Sequence, residues 1–274
     1  MNICITADDY GLMSSVNSAI EILAEEEKIS AVSVMCHKDA ILDTVHKLKN
    51  LNVAVGPHLV FVEEKPLLQK DKLKHLVDDK LQLPRNYWAL FRKTILSPSL
   101  VEKIALEARC QIERYLSLGL KIHFVNSHQH VHLFPQIWRV IAPILKEYGC
   151  PTVRMCKKIC FSLSRNDLLF LSSYASQKVS TASFDKCLSP IDILGSGKLS
   201  IHRVTKNIKD IIKAYPFQEG IMPELVCHPG LDQQKLDVAY GHWKYKWREE
   251  YELLRSLEMR NLLQKYSLTI KVPV

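Results

Sequence analysis

The sequence lacks most of the features that would place it outside the ordinary globular proteins. Its eight cysteines form no C-x-x-C pair, which favours free thiols in a reducing compartment over a disulfide framework. Cys150, Cys156 and Cys160 are spaced by six and four and have no fourth local ligand, so buried thiols fit them better than a zinc site. No apolar run approaches the roughly 18 residues of a spanning helix. The chain opens directly on an apolar strand, Ile3-Cys4-Ile5, without a leader ahead of it, so a cytoplasmic location is expected. The net charge is +8, but no block of five like charges occurs. A solvated basic surface explains that balance, and a nucleic-acid partner would rest on charge alone. There is no internal repeat and no low-complexity linker. A single domain over residues 1–274 is therefore expected, of a size that α/β barrels commonly reach.

What the chain does have is a succession of apolar strands whose C-terminal ends carry chemistry. Ile122, Phe124 and Val125 read as a strand that runs into Asn126-Ser127 and three imidazoles, His128, His130 and His132. Residues 2–6 form a strand ending at Asp8-Asp9-Tyr10-Gly11. Two adjacent carboxylates after a buried strand are costly unless they bind something, although one of them, or Ser14 or Ser15, could cap the helix that follows. A third strand, Val53–Val55, runs into Gly56-Pro57-His58, and a later one, Glu224–Cys227, runs into His228-Pro229-Gly230. Arg154 ends the short strand Thr152–Arg154. It could orient a carboxylate, hold a substrate oxyanion, or sit in a surface ion pair.

Between these strands the periodicity predicts helices over Val16–Glu27, Asp39–Leu51, Ser99–Leu118, Gln136–Tyr148, part of Lys198–Ala214, and Trp243–Leu263. Residues 62–98 are a long polar insertion carrying Tyr87, Trp88 and Phe91, the length of a lid or substrate-binding segment. Strands alternating with helices argue for a parallel sheet. Active groups gathered at several strand C-termini argue for a barrel.

Four segments taken together, Thr6-Ala7-Asp8-Asp9-Tyr10-Gly11, Val55-Gly56-Pro57-His58-Leu59, Asn126 to His132, and Cys227-His228-Pro229-Gly230, resemble the motifs of the YdjC-like carbohydrate deacetylases, including chitooligosaccharide deacetylase. The late Trp247-Arg248-Glu249-Glu250-Tyr251-Glu252 is similar to that family's final helix. The resemblance implies an irregular TIM-like (β/α) barrel and metal-dependent removal of acetyl from N-acetylated sugars, on an oligosaccharide or a sugar–lipid. It implies Asp9, His58 and His128 as metal ligands, Asp8 as general base and His228 as general acid. Arg154, His130 and His132 are then left to substrate binding or to support of the ligands, with His132 an alternative ligand if its segment turns helical. Family usage points to Mg2+, whereas two nitrogen ligands suit Zn2+ or Mn2+.

Two positions depart from the pattern. Pro57 replaces a bulky apolar residue, and Asn126 stands where an Asp is common. The expected partner is an N-acetylated sugar, with no nucleic acid, and a homodimer stays an open alternative. A phosphoesterase-type hydrolase and a non-catalytic sugar- or metal-binding protein are the competing readings.

Overall fold

The computed structural model describes residues 1–38, 41–155, 184–190, 197–214 and 220–273. Its strands are β1 (Asn2–Tyr10), β2 (Ala31–Val34), β3 (Ala54–Leu59), β4 (Asn126–Ser127), β5 (Thr152–Arg154), β6 (Lys186–Pro190) and β7 (Ile221–Cys227). They run parallel in the order β4-β3-β2-β1-β7-β6-β5. The two ends of that row meet at Val125 and Val153. The Val125 N–H donates to Thr152 O at 3.0 Å and the Arg154 N–H to Val125 O at 2.9 Å. The result is a nearly closed barrel of seven strands. A short β8 (Thr269–Ile270) pairs only with the start of β1.

The helices are α1 (Ser14–Glu25), α2 (Val45–Leu48), α3 (Tyr87–Leu96), α4 (Leu100–Ser117), α5 (Pro135–Glu147), α6 (Ile201–Ala214), α7 (Gln233–Tyr240), α8 (Trp247–Arg255) and α9 (Leu257–Lys265). This is the expected α/β barrel, with several differences of detail. β1 runs through both aspartates, and α1 starts after Met13 with no side-chain cap, so neither aspartate is a helix cap. β6 had no signal in the sequence. Within the span expected to be one helix from Asp39, only α2 forms among the described residues. The expected helix Trp243–Leu263 is broken twice. Lys244 adopts a left-handed φ of 57°, and Ser256 leaves the helix at φ −67°, ψ 153° to cap α9 through its hydroxyl. The six described cysteines are free thiols; Cys156 and Cys160 lie outside the described residues.

Strand alternation explains what fills the barrel. Successive side chains point to opposite faces of a strand. In β1, Ile3, Ile5 and Ala7 enter the large core under the helices. Cys4 instead joins a separate cluster with Ala31, Ala54, Phe124 and Leu188, each from a different strand or strand approach. This small-residue cluster is the apolar floor of the barrel. Further along the strands the inward side chains turn polar: Thr6, Ser33, Asn126, Arg154 and Glu224, all buried. Nearer the C-terminal ends come Asp8, His58, His128 and His228.

Small residues on the inner face allow the walls to approach closely. A Cβ on Gly56 would lie 1.9 Å from the Phe124 carbonyl oxygen. Gly56→Ala is expected to force β3 away from the approach to β4, costing about 1–3 kcal/mol. A thermal melt of the variant should show this as a drop in Tm of several degrees.

Candidate metal centre

The centre begins with a break in strand regularity. In an ideal strand Asp8 and Asp9 would face opposite sides of the sheet. Here the β1–β2 register shifts between Ala7 and Tyr10, and Asp9 takes a positive φ of 69°. A bulge of this kind re-aims a side chain, and it brings both carboxylates to the mouth of the barrel. The Asp9 Oδ1 lies 3.3 Å from His58 Nε2 and 3.4 Å from His128 Nδ1. Donor atoms of these three buried residues all fall within 4.8 Å of one another. Neither Asp9 oxygen has a hydrogen-bond donor. A buried carboxylate without donors is expensive, and a cation shared with two imidazoles removes that cost.

The outer nitrogens of both imidazoles are already occupied. His58 Nδ1 lies 2.6 Å from Asn126 Oδ1, so its N–H donates to the amide oxygen and leaves Nε2 as a lone pair facing Asp9. His128 Nε2 lies 3.1 Å from Glu63 Oε2, which turns Nδ1 toward Asp9. A metal-ligating histidine commonly has its other nitrogen fixed like this. One carboxylate oxygen and two imidazole nitrogens suit a divalent metal ion. Burial pushes the His128 imidazole down, but the Asp9 and Glu63 carboxylates on either side raise it to about 10.

Below the ligands lies a continuous polar network. Arg154, fully buried, donates from Nη1 and Nη2 to Asp8 at 2.6 and 3.0 Å, and from Nε and Nη2 to Glu224 at 2.8 and 2.8 Å. Glu224 also accepts from Thr6 Oγ1 at 2.6 Å. Asp8 Oδ1 accepts from Ser33 Oγ at 2.6 Å and from Asn126 Nδ2 at 3.2 Å. Burial alone would raise the Asp8 pKa; the Arg154 guanidinium, with His58 and His228, holds it well below the usual carboxylate range instead. Arg154 is therefore not in a surface ion pair. It grips the carboxylate beside Asp9.

The remaining histidines separate cleanly. His228 Nδ1 accepts from the Gly197 N–H at 3.2 Å, so the neutral ring carries its proton on Nε2. Burial, aided by His58 and Arg154, keeps this ring below the usual histidine value. The His228 loop is held by Glu250, whose carboxylate accepts the His228 N–H at 2.6 Å and the Leu199 N–H at 2.9 Å. His132 donates from Nε2 to Arg154 O at 2.8 Å, and its Nδ1 lies 2.5 Å from Ser127 Oγ. With both nitrogens taken it is a brace between β4 and β5, and the alternative of His132 as a ligand falls. Its segment does turn, but Gln129 and His130 are left-handed at φ 51° and 54°, which breaks the helical spacing. His130 is buried beside Arg154 and Asp8, its Nδ1 without a partner.

Several residues of the centre were not identified from the sequence. Glu63 comes from the polar insertion and also lies 3.4 Å from His242 Nε2. Trp243 packs on His128 with ring centroids 4.8 Å apart, and Tyr245 packs on His228 at 4.7 Å. Glu224 and Glu250 read as strand and surface-helix residues. Only an alternation count in β7 could have turned Glu224 inward. Of the insertion's aromatics, Tyr87 and Phe91 pack toward Phe134, at 6.5 and 4.9 Å, and Trp88 is exposed.

Because the metal-free His128 is protonated well above neutrality, binding an ion there must expel a proton. Affinity should rise by about tenfold per pH unit through the neutral range and level off near pH 10. Calorimetry in buffers of different ionisation enthalpy should count about one proton released per ion. Arg154→Met should cost about 3–5 kcal/mol at neutral pH by leaving Asp8 buried and uncompensated. The folded Asp8 pKa is depressed, so its stabilising contribution is complete above about pH 4 and lost as pH falls toward the folded value. Urea titrations should therefore show the gap between wild type and variant narrowing in acid.

Comparison with known proteins gives relatives along nearly the whole chain. A carbohydrate deacetylase of Vibrio parahaemolyticus is 27% identical over 267 residues, covering 96% of this chain and 88% of the relative. A carbohydrate deacetylase of Clostridium beijerinckii is 23% identical over 271 residues, covering 98% of each. A chitooligosaccharide deacetylase of Escherichia fergusonii is 27% identical over 242 residues, covering 85% of this chain and 88% of the relative. A solved structure from Enterococcus faecalis V583, described in terms of cellobiose-phosphate cleavage, superposes with a TM-score of 0.71 at 18% identity, covering 99% and 97% of the two chains, and shares the fold. Residues 2–265, which contain the bulged aspartate pair and all three strand-end histidine sites, match the family model for YdjC-like proteins, and the chain belongs to that family.

Proposed function

We propose that the protein is a metal-dependent hydrolase that removes the acetyl group from an N-acetylated sugar. The observation that carries this reading is the buried Asp9 carboxylate, without a hydrogen-bond partner and faced by two imidazole nitrogens, with a second carboxylate one residue away. Relatives named as carbohydrate deacetylases support the substrate class. A divalent ion held by Asp9, His58 and His128 supplies Lewis-acid polarisation of the acetyl oxygen and a water of lowered pKa.

The chain's own residues move the protons. Asp8, kept ionised and oriented by Arg154, accepts a proton from the attacking water. The same grip limits how tightly Asp8 holds the proton, so it can be passed on. His228 sits on the neighbouring strand β7 with Nε2 as its exchangeable position. It protonates the departing nitrogen as the imidazolium, formed when the ring takes up the proton released by the water and Nδ1 gives up the Gly197 N–H; a pKa held below the usual histidine value makes that form a strong acid. The C–N bond breaks as the water oxygen bonds to the acetyl carbon, and acetate and a free amino sugar leave. His130 and His132 support this centre from below, and the substrate does not need to touch Arg154.

Asp9→Ala and His128→Ala should each abolish both metal binding and acetate release from N-acetylglucosamine oligomers. His228→Ala should keep the metal and lose about 10²–10⁴ in kcat. Acetate release that persists in the metal-free variants, or hydrolysis of phosphoesters in preference to acetamides across a substrate panel, would sink the reading.

A further inference from the structure

The strap between α7 and α8 is richer in aromatic rings than a connection requires. Tyr240, Trp243, Tyr245 and Trp247 stack in sequence, with Trp243 at 4.6 Å from Tyr240 and 5.3 Å from Tyr245. Trp247 is anchored in the core, and the other three rings pack outward from it. Trp243 and Tyr245 are only partly buried, and they lie against His128 and His228, the residues on which the chemistry depends. Burial and the carboxylates of Glu64, Asp9 and Glu63 all push the Tyr240 phenol up, which places it at the same mouth.

Two further observations point to a ligand. The Trp243 indole N–H is buried and has no acceptor, and like the Asp9 oxygens at the same mouth it is left without a partner. Beside the rings is a polar rim of His37, Lys38 and Glu64. Lys38 donates to the Tyr240 hydroxyl, lies 5.0 Å over its ring, and pairs with Glu64 at 3.1 Å. Neither His37 ring nitrogen makes a hydrogen bond.

We propose that Trp243 is a substrate-binding and specificity-determining residue, the centre of an aromatic wall that takes the ring of a neutral pyranoside whose acetamido group enters the metal centre. This rests on the deacetylase reading. A pyranose presents apolar C–H groups on its faces and hydroxyls around its edge. The wall matches the faces, the indole N–H can donate to a ring or acetyl oxygen, and the mixed rim can both donate to and accept from hydroxyls. A phosphorylated sugar would need an uncommitted cation here, and Lys38 is already neutralised by Glu64. An acyl chain would leave the rim and the indole N–H unsatisfied.

The test uses the metal-loaded protein and N,N′-diacetylchitobiose. Trp243→Ala should raise KM for acetate release by about tenfold and leave the metal Kd unchanged. Trp243→Phe keeps the packing on His128 and loses the N–H, so it should fall between the two. An unchanged KM in Trp243→Ala overturns the proposal. So does a metal Kd that weakens in step with KM, since the indole would then act only by supporting His128. If the wild type releases no acetate from any N-acetyl sugar, the deacetylase reading fails by itself, and fluorescence decides the wall. Quenching by the sugar that disappears in Trp243→Phe supports the wall; quenching that survives, or no sugar binding at all, overturns it.

Discussion

The buried guanidinium of Arg154 is the constraint on which the barrel interior depends. It sits fully enclosed between two carboxylates, Asp8 from β1 and Glu224 from β7, and is itself carried by β5. Such a group is a poor source of net stability, because desolvation offsets most of the attraction. Its value is geometric. A planar fork with two bidentate partners fixes three strands in rotation and in height, which apolar packing against the small-residue floor could not do. The seven-stranded ring closes only at Val125 and Val153, next to this arginine. The ion pairs therefore fall at the seam where the ladder is thinnest.

From that anchor the polar groups pass alignment upward to the ligands, along two routes of different character. His58 is set by a neutral amide, Asn126, which also donates to Asp8 and to Ser33. One side chain thus ties a ligand to the neighbouring carboxylate. An aspartate in its place would put a second negative charge against Asp8, and the amide avoids this while keeping both contacts. His128 is set by a carboxylate, Glu63, which belongs to the insertion rather than the barrel. His58 is therefore tied to the barrel interior. His128 is tied to the segment that also meets His242 on the aromatic strap.

Much of this was legible in the sequence, and the reasons for the rest are physical. Alternating strands and helices, and reactive residues at strand ends, gave the barrel, because period and position are properties of the local chain. Asp9, His58 and His128 come together as the resemblance implied. The partners that make them a centre were not legible. Glu63, Glu224, Glu250 and Trp243 look like ordinary polar or amphipathic residues, and only three-dimensional closure brings them to the mouth. Trp243 was read as part of a helix because the apolar spacing continues through it; the left-handed Lys244 interrupts that helix, and no residue type announced it. Arg154 was ambiguous for a similar reason, since its burial is decided by strands far away in sequence. The spacing of His132 from His128 leaves it open as a ligand, and only the folded contacts, to Ser127 and the Arg154 carbonyl, occupy its two nitrogens.

The bulge at Asp9 couples two carboxylates through the backbone. Asp8 and Asp9 are consecutive, and the Cα atoms of neighbouring residues are held about 3.8 Å apart by covalent geometry. Every other distance at the mouth is set by packing between different strands and can widen or narrow as the barrel breathes. The Cα separation of the residue that would face the ion from the one that would face the water cannot, and both side chains are buried. The chain has written that spacing into its own backbone, so thermal motion can disturb how the imidazoles approach Asp9 without uncoupling Asp9 from Asp8.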